Sequence, residues 1–447
     1  MYEQTPTPPF IDGLYTQLVE GAVRYFFPSA KFQPLPSESF TSKHTVVSAA
    51  TSLSLCGFGF QHCVMREEPF SDAEVKLLKS IGIVLDSRYR MLVDGSHGEQ
   101  RFEIFRGLPE DRYISAYING VSWAQRISQG TDRVHDAIEV LRTTSLSTYE
   151  NRRISTGALL FGHHPDPCHK PPVTPAGALR YSSELAAIRS FYRLADGLQT
   201  LALVDQDGLF VEIVDVEEWA ESFVDAELPV PAPERYQSHT RATLCGGHIC
   251  MILTPHGEMK IFADGTQVFH FWDGRWRVTD AQRKYDLWTE AIGNVRLAER
   301  LFKAALNLAE DRRGGLLVVL DDPRAAQKLV SRVDLLGATT GDDERALVVP
   351  KGQFQYLLQH KRILDVPSAV LETVARIDGG IVLDKDSNLL AFGAILRHPD
   401  MTDLHPETIE GGRTTAALSA SRFGNVLKVS EDGLVSFYQK GKCIWEM

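Results

Sequence analysis

The period of the apolar positions changes at recognisable places along the chain. In VRLAERLFKAALNLAEDRR, Leu297, Leu301, Ala304, Ala305 and Leu308 recur at helical spacing, which predicts a helix with one face packed on a sheet. The short apolar run LLVVL (316–320) that follows has the pattern of a buried strand. Upstream, Ser71 and Glu74 form a capping-box pattern that opens a helix in DAEVKLLKSIG, with Gly82 as its expected stop. Asn119-Gly120 in YISAYINGVSW and Asp273-Gly274 in FWDGRW both predict hairpin turns. Asp280 is the expected N-cap of the helix that comes next. Strand-rich blocks flanked by such helices predict an α/β class, a mixed sheet with helices on its faces.

From Thr131 onward the pattern is stated twice. ENRRISTGALLFG (150–162) is echoed by AEDRRGGLLVVL (309–320), each running through a basic pair into an apolar strand. LADGLQTLALVDQDGLFVEIV (194–214) is echoed by RIDGGIVLDKDSNLLAFGAIL (376–396), and HTRATLCGGHICMILTPHGEMKIFADG (239–265) by GGRTTAALSASRFGNVLKVSEDGLVSFYQKG (411–441). In this pairing Asp196 corresponds to Asp378 and Arg241 to Arg413. The preserved order predicts a diverged internal duplication; the competing explanation is the helix–strand–hairpin rhythm common to α/β domains. The expected organisation is an N-terminal accessory α/β region (1–130), a first copy (131–280) and a second copy (281–447).

The bulk properties narrow the class. A chain of 447 residues exceeds one ordinary core. A net charge of −11 argues against broad nucleic-acid binding or adhesion to anionic membrane. No apolar run is long enough to cross a bilayer. MYEQTPTPPF lacks the basic and apolar segments of a secretory leader, and six scattered cysteines do not form a disulfide framework. The expectation is a cytoplasmic multidomain protein.

Chemistry concentrates near the C-terminus. There Arg313-Gly314-Gly315-Leu316-Leu317, Asp378-Gly379-Gly380, Gly411-Gly412-Arg413-Thr414-Thr415-Ala416-Ala417 and Ser430-Glu431-Asp432 follow in order. Acidic residues beside a glycine-flanked arginine suit a nucleotide and its metal ion. These blocks resemble the signature of the diadenylate cyclase family, whose domain condenses two ATP molecules into cyclic di-AMP. The resemblance covers roughly a third of the chain. It implies Asp378 and Glu431 as catalytic carboxylates and ligands of Mg²⁺ or Mn²⁺. It further implies Gly379, Gly411, Gly412, Arg413, Thr414, Thr415 and Ser430 as nucleotide- and phosphate-binding positions. Thr414 and Thr415 stand where the family has a histidine and a second arginine. The first copy keeps Asp196-Gly197 and Arg241, but the position of Glu431 falls near His256, so it is expected to be a degenerate half.

Two functions follow from the resemblance. One is a nucleotidyltransferase that joins nucleoside triphosphates into a cyclic or linear dinucleotide with release of pyrophosphate; retention of both carboxylates favours it. The other is a sensor that keeps the pocket without the chemistry, as suspected for degenerate relatives in bacterial conflict systems. Either implies bacterial nucleotide signalling, with antiviral defence as a plausible setting and an effector protein as partner. Because cyclases of this family work as facing pairs, the facing halves would come from the duplication or from a homodimer.

Other residues compete for attention. His163, His164, Cys168 and His169 in GHHPDPCHK, with Cys245, His248 and Cys250 in CGGHIC, are zinc-ligand types. Neither segment has C-x2-C spacing, and Pro165 and Pro167 stiffen the first, so a histidine-rich loop and core cysteines are expected instead. Trp272 and Trp276 are expected to pack in their hairpin rather than stack on a base. Arg152-Arg153 and Arg312-Arg313 are expected to close helices against the macrodipole, with Arg312 or Arg313 as an alternative phosphate contact.

Overall fold

The computed structural model describes residues 9–36, 45–57, 60–93, 105–124, 132–149, 152–186, 188, 191–336, 358, 361–397 and 411–447. The chain is a mixed α/β protein made of two compact units. The first comprises Met1–Glu227 with Ser238–Asp280, the second Leu228–Gln237 with Ala281–Met447. Among the described residues, no helix is long and apolar enough to cross a membrane.

The first unit opens with helix α1 (Pro9–Phe26) and an antiparallel sheet of β1 (Lys31–Pro36), β2 (Thr45–Ala49), β3 (Ser52–Gly57) and β4 (Phe60–Met65), in the order β1-β4-β3-β2. Helices α2 (Asp72–Val93), α3 (Pro109–Asn119) and α4 (Arg133–Ser145) follow. The capping box at α2 forms reciprocally: Ser71 N–H donates to Glu74 Oε2 (2.8 Å) and Glu74 N–H to Ser71 Oγ (3.2 Å). The helix does not stop at Gly82. Buried Leu77, Leu78, Ile81, Val84 and Leu85 carry it onward, and their burial outweighs the roughly 1 kcal/mol penalty of one internal glycine. Asn119-Gly120 turns no hairpin either. Pro109 and the acidic Glu110 and Asp111 start a helix there, and Gly120, at φ +59°, caps its end through N–H donation to Ala116 O.

A seven-stranded sheet comes next, from β5 (Thr156–Leu160), β6 (Thr200–Val204), β7 (Phe210–Asp215), β8 (Ile249–Leu253), β9 (Met259–Ala263), β10 (Thr266–Trp272) and β11 (Arg275–Val278). Short helices α5 (Val216–Ala220) and α6 (Gln237–Arg241) lie between β7 and β8. The β10–β11 hairpin closes through Asp273 (φ +50°) and Gly274 (φ +73°), the type I′ geometry its sequence predicts. Trp276 is buried against Phe269 and Phe271, and its indole N–H donates to Asp111 Oδ1 (2.8 Å). It is a packing residue. One hydrophobic core runs from Tyr15 and Leu77 through Ala158 and Met251 to Phe269 and Trp276, so residues before and after position 130 share an interior.

The second unit contains α7 (Ala281–Ile292), α8 (Val295–Glu310), β12 (Gly315–Leu320), α9 (Ser368–Ala375), β13 (Gly380–Asp384), β14 (Leu389–Ala394), α10 (Gly412–Ala420), β15 (Gly424–Val429), β16 (Val435–Gln439) and β17 (Lys442–Glu446). Asp280 immediately precedes α7, at φ +47°. Residues 228–237 join this unit, where Glu234 N–H donates to Asn307 Oδ1 (2.8 Å) on α8. Leu317, Val319, Ile381, Leu383 and Leu427 face α8 and α9. Leu316, Val318, Val382 and Val426 face α10. Cover on both faces explains why these strands read as unbroken apolar runs.

The two sheets share one plan. The second has the order β14-β13-β12-β15-β16-β17, and the first, read from its β7 edge, runs β7-β6-β5-β8-β9-β10 before β11. In each, one pair is parallel, β5 with β6 and β12 with β13, while the other neighbours are antiparallel. The hairpin turns after β8 and β15 match bond for bond. Glu258 N–H donates to Thr254 Oγ1, and Leu434 N–H to Ser430 Oγ, both at 3.2 Å. An arginine three residues before the first strand of each sheet reaches that turn: Arg153 donates to His256 O (2.6 Å), and Arg312 crowds Gly433.

Buried histidines make the first unit acid-sensitive. His239 is buried and donates to Gly197 O (3.0 Å); burial pushes its pKa from 6.5 down to about 4. Burial, then the neighbouring Arg112, also lowers that of His135. The unfolded chain takes up protons below about pH 6.5 that the folded imidazoles refuse. Stability is therefore full above that pH and falls as the pH drops toward 4, by up to about 3 kcal/mol for His239. Urea titrations between pH 7 and 4 are expected to show the first unit losing stability as the pH falls.

Candidate functional site

Strand order places the C-terminal blocks together. Leu317 pairs with Ile381 in parallel and Gly315 with Val429 antiparallel, so the starts of β12 and β13 and the end of β15 lie at one sheet edge. Helix α10 turns directly into β15 through residues 421–423, which returns its N-terminus to that same edge. Arg313 and Gly314, Asp378 and Gly379, Gly411 to Thr415, and Ser430 and Glu431 therefore meet there.

Their geometry separates their roles. Arg413 Nη1 pairs with Glu431 Oε1 at 2.8 Å, and its guanidinium lies so close to Gly314 that any side chain there would collide with it. The arginine side chain is 42% exposed and the glutamate 69%, an accessible pair that a competing anion can open. The Arg413 hydrogen bond and charge, aided by Arg313, hold the Glu431 carboxyl below its usual range. Gly411 needs its glycine, since φ is +86°, and Gly412 has open space where a side chain would stand. Among the described residues no side chain caps α10, and the first N–H groups of a helix have no partner within it. Lys428, on the face of β15 toward α10, donates to Thr414 Oγ1 (3.2 Å). Nothing in the sequence singled it out except a lone charge in the apolar run GNVLKV. Thr415 Oγ1 donates to Gly411 O (3.4 Å).

Two positions have structural duties. Gly379, at φ +111°, backs onto the main chain of Gly393 and Ala394, where a Cβ would collide. Ser430 Oγ accepts from Leu434 N–H within its own turn. Ser430→Ala is expected to cost about 1 kcal/mol of stability, as denaturation of the variant would report.

Asp378 is exposed. It and Glu431 are the carboxylates at this edge that the resemblance assigns to a metal. Two carboxylates, one engaged by Arg413, suit an Mg²⁺ or Mn²⁺ that arrives with phosphate and water in most of its shell; they do not make a resident site. Among the described residues, three potential ligand atoms gather at Asp166, His169 and His248 and at His135, Asp136 and Glu139. In the second group, Arg106 pairs with both carboxylates (2.7 and 2.6 Å) and Arg180 with Asp136 (2.7 Å), so its charge is already met.

The first copy differs at the equivalent edge. Asp196 Oδ1 accepts the N–H groups of Leu198, Gln199 and Thr200. The matched hairpin turns put Pro255, not His256, at the position of Glu431. Arg241 ends α6, whereas Arg413 begins α10. Arg241 instead lines a cleft with Glu217, Glu218 and Glu221, and its pairing with Arg413 does not hold.

No family model and no curated protein matches this sequence. One solved structure to which it is similar is titled a hypothetical membrane spanning protein, from Bacillus cereus. The identity is 19%, over 36% of this chain and 66% of that one, just under two thirds of its length. The TM-score of 0.24 carries no argument.

Proposed function

We propose that the second unit recognises the phosphates of a nucleotide or dinucleotide at the N-terminus of α10 and acts as a sensor. The observation that carries this reading is the convergence of Arg413, Lys428 and the uncapped first turn of α10 on one accessible sheet edge. Main-chain N–H groups and a forked guanidinium are the usual partners of phosphate oxygens. The order of the surrounding blocks, similar to diadenylate cyclases, points to a nucleotide as the phosphate carrier. Binding is favoured over condensation because Thr414 and Thr415 replace an imidazole and a guanidinium that would serve the metal and the departing pyrophosphate.

The second reading is a nucleotidyltransferase, and the shared edge of Asp378 and Glu431 is what favours it. These two carboxylates would hold Mg²⁺ or Mn²⁺ against the phosphates. A divalent ion bound there would supply activation of the attacking hydroxyl and neutralisation of the leaving group. Either reading calls for an effector protein that answers to the nucleotide, in cytoplasmic bacterial signalling with a place in antiviral defence.

Calorimetric titration of the full chain with nucleoside triphosphates and dinucleotides, with and without Mg²⁺, tests the proposal. Saturable binding that persists without metal supports the sensor. Absence of binding to any of them would refute it.

A further inference from the structure

Two guanidinium groups, assigned to opposite faces of the second sheet, bear on one carboxylate. β12 and β15 are antiparallel with Gly315 opposite Val429, and the same pairing carried two residues further sets Arg313 opposite Glu431. Side chains alternate between the faces of a strand. Leu316 and Val318 face α10, whereas Leu317 and Val319 face α8 and α9. Alternation therefore gives Gly314 to the α10 side and Arg313 to the other. The first assignment is visible directly: the guanidinium of Arg413, a residue of α10, fills the place where a side chain on Gly314 would stand. From there it pairs with Glu431 (2.8 Å).

The adjacent arginines at the end of α8 have different surroundings. Arg312, at φ +54°, lies against Gly433 in the hairpin turn. Arg313 is exposed, and among the described residues its side chain has no hydrogen-bond or ion-pair partner. Its charge nevertheless reaches Glu431, adding to the larger effect of Arg413 in holding that carboxyl below its usual range. Glu431 thus offers one negative charge to two cations. Its side chain is 69% exposed, and an exposed pair of this kind costs little to open. A ligand with more negative charge can take its place.

We propose, on the reading of the α10 edge as a phosphate site, that Arg313 determines its specificity by holding a second phosphate group. The site then selects ligands with two or more phosphates in a row. A first phosphate meets the opening turn of α10 and Arg413. The phosphate next to it takes the place of Glu431 between the two guanidinium groups and so comes within reach of Arg313. A forked guanidinium contact to phosphate is charge-assisted and strong enough to set a preference. A single phosphate at the helix turn engages Arg413 and gains nothing from Arg313.

The test is calorimetric titration of the full chain with nucleoside mono-, di- and triphosphates of each base, in buffer free of divalent metal. The parent is expected to bind its preferred triphosphate at least about tenfold more tightly than the matching monophosphate. Arg313→Gln should bring that ratio to within about threefold, with the circular dichroism spectrum retained. Arg312→Gln removes the same charge one residue earlier and should keep the parent ratio. Nucleotide binding in which Arg313→Gln leaves the ratio unchanged, or Arg312→Gln lowers it as much, would overturn the role of Arg313 and leave the phosphate site standing. Binding of none of these nucleotides would also overturn it; the phosphate site itself falls only if dinucleotides fail to bind as well.

Discussion

Arg112→Met is expected to lower the stability of the first unit by about 3–5 kcal/mol. Arg112 Nη1 meets Asp132 Oδ2 at 2.8 Å, with side chains only 1% and 4% exposed. Asp132 also caps α4 by accepting His135 N–H (3.2 Å), and it accepts from Trp123 Nε1 (3.2 Å) and from the Ser115 hydroxyl. Removing the guanidinium leaves a carboxylate buried among groups that cannot neutralise it. The cost comes from that stranded charge more than from the lost attraction. The double variant Arg112→Met/Asp132→Leu should therefore be more stable than Arg112→Met alone, although it loses the cap. Urea denaturation of the three proteins decides the matter. A loss below about 1 kcal/mol in the single variant would mean that Asp132 escapes to solvent or takes a proton at little cost.

Arg413→Gln is expected to weaken polyphosphate binding about 10- to 100-fold, the loss of a charged, forked contact worth roughly 1.5–3 kcal/mol. The salt dependence of binding should fall with it. Stability should hardly change, because exposed ion pairs contribute little. Glu431→Gln separates the two functional readings. If Glu431 only occupies Arg413 until phosphate arrives, its neutralisation leaves affinity equal or higher. If it carries a metal ion, Mg²⁺-dependent affinity falls instead. Titration of both variants with and without Mg²⁺ distinguishes these results.

Much of the architecture was legible in local chemistry. The Ser71–Glu74 cap, the Asp273-Gly274 hairpin and the helix over 295–310 each depend on neighbours a few residues away. The repeated order of blocks foreshadowed the shared strand plan of the two sheets. Misreadings arose where tertiary packing decides. Gly82 and Asn119-Gly120 carry strong local signals for a stop and a turn, yet buried apolar faces keep the first in a helix and place the second at a helix end. Arg241 matched Arg413 by its neighbours in sequence, but helix length shifts it to the other end of its element. Lys428 was invisible because its importance comes from the helix packed over β15. Asp166 carried no ligand-like spacing, and only the fold brings it between His169 and His248.

The most direct measurement incubates the full chain with each ribo- and deoxyribonucleoside triphosphate and with dinucleotides, in Mg²⁺ or Mn²⁺. Affinity is read by titration, and the same samples are then analysed by mass spectrometry. Recognition of phosphate by a sensor predicts tight binding of at least one nucleotide, loss of it in Arg413→Gln, and recovery of the nucleotide unchanged. Failure to bind any nucleotide would contradict the account. So would a new dinucleotide with released pyrophosphate that disappears in Asp378→Asn, which would make the second unit a nucleotidyltransferase.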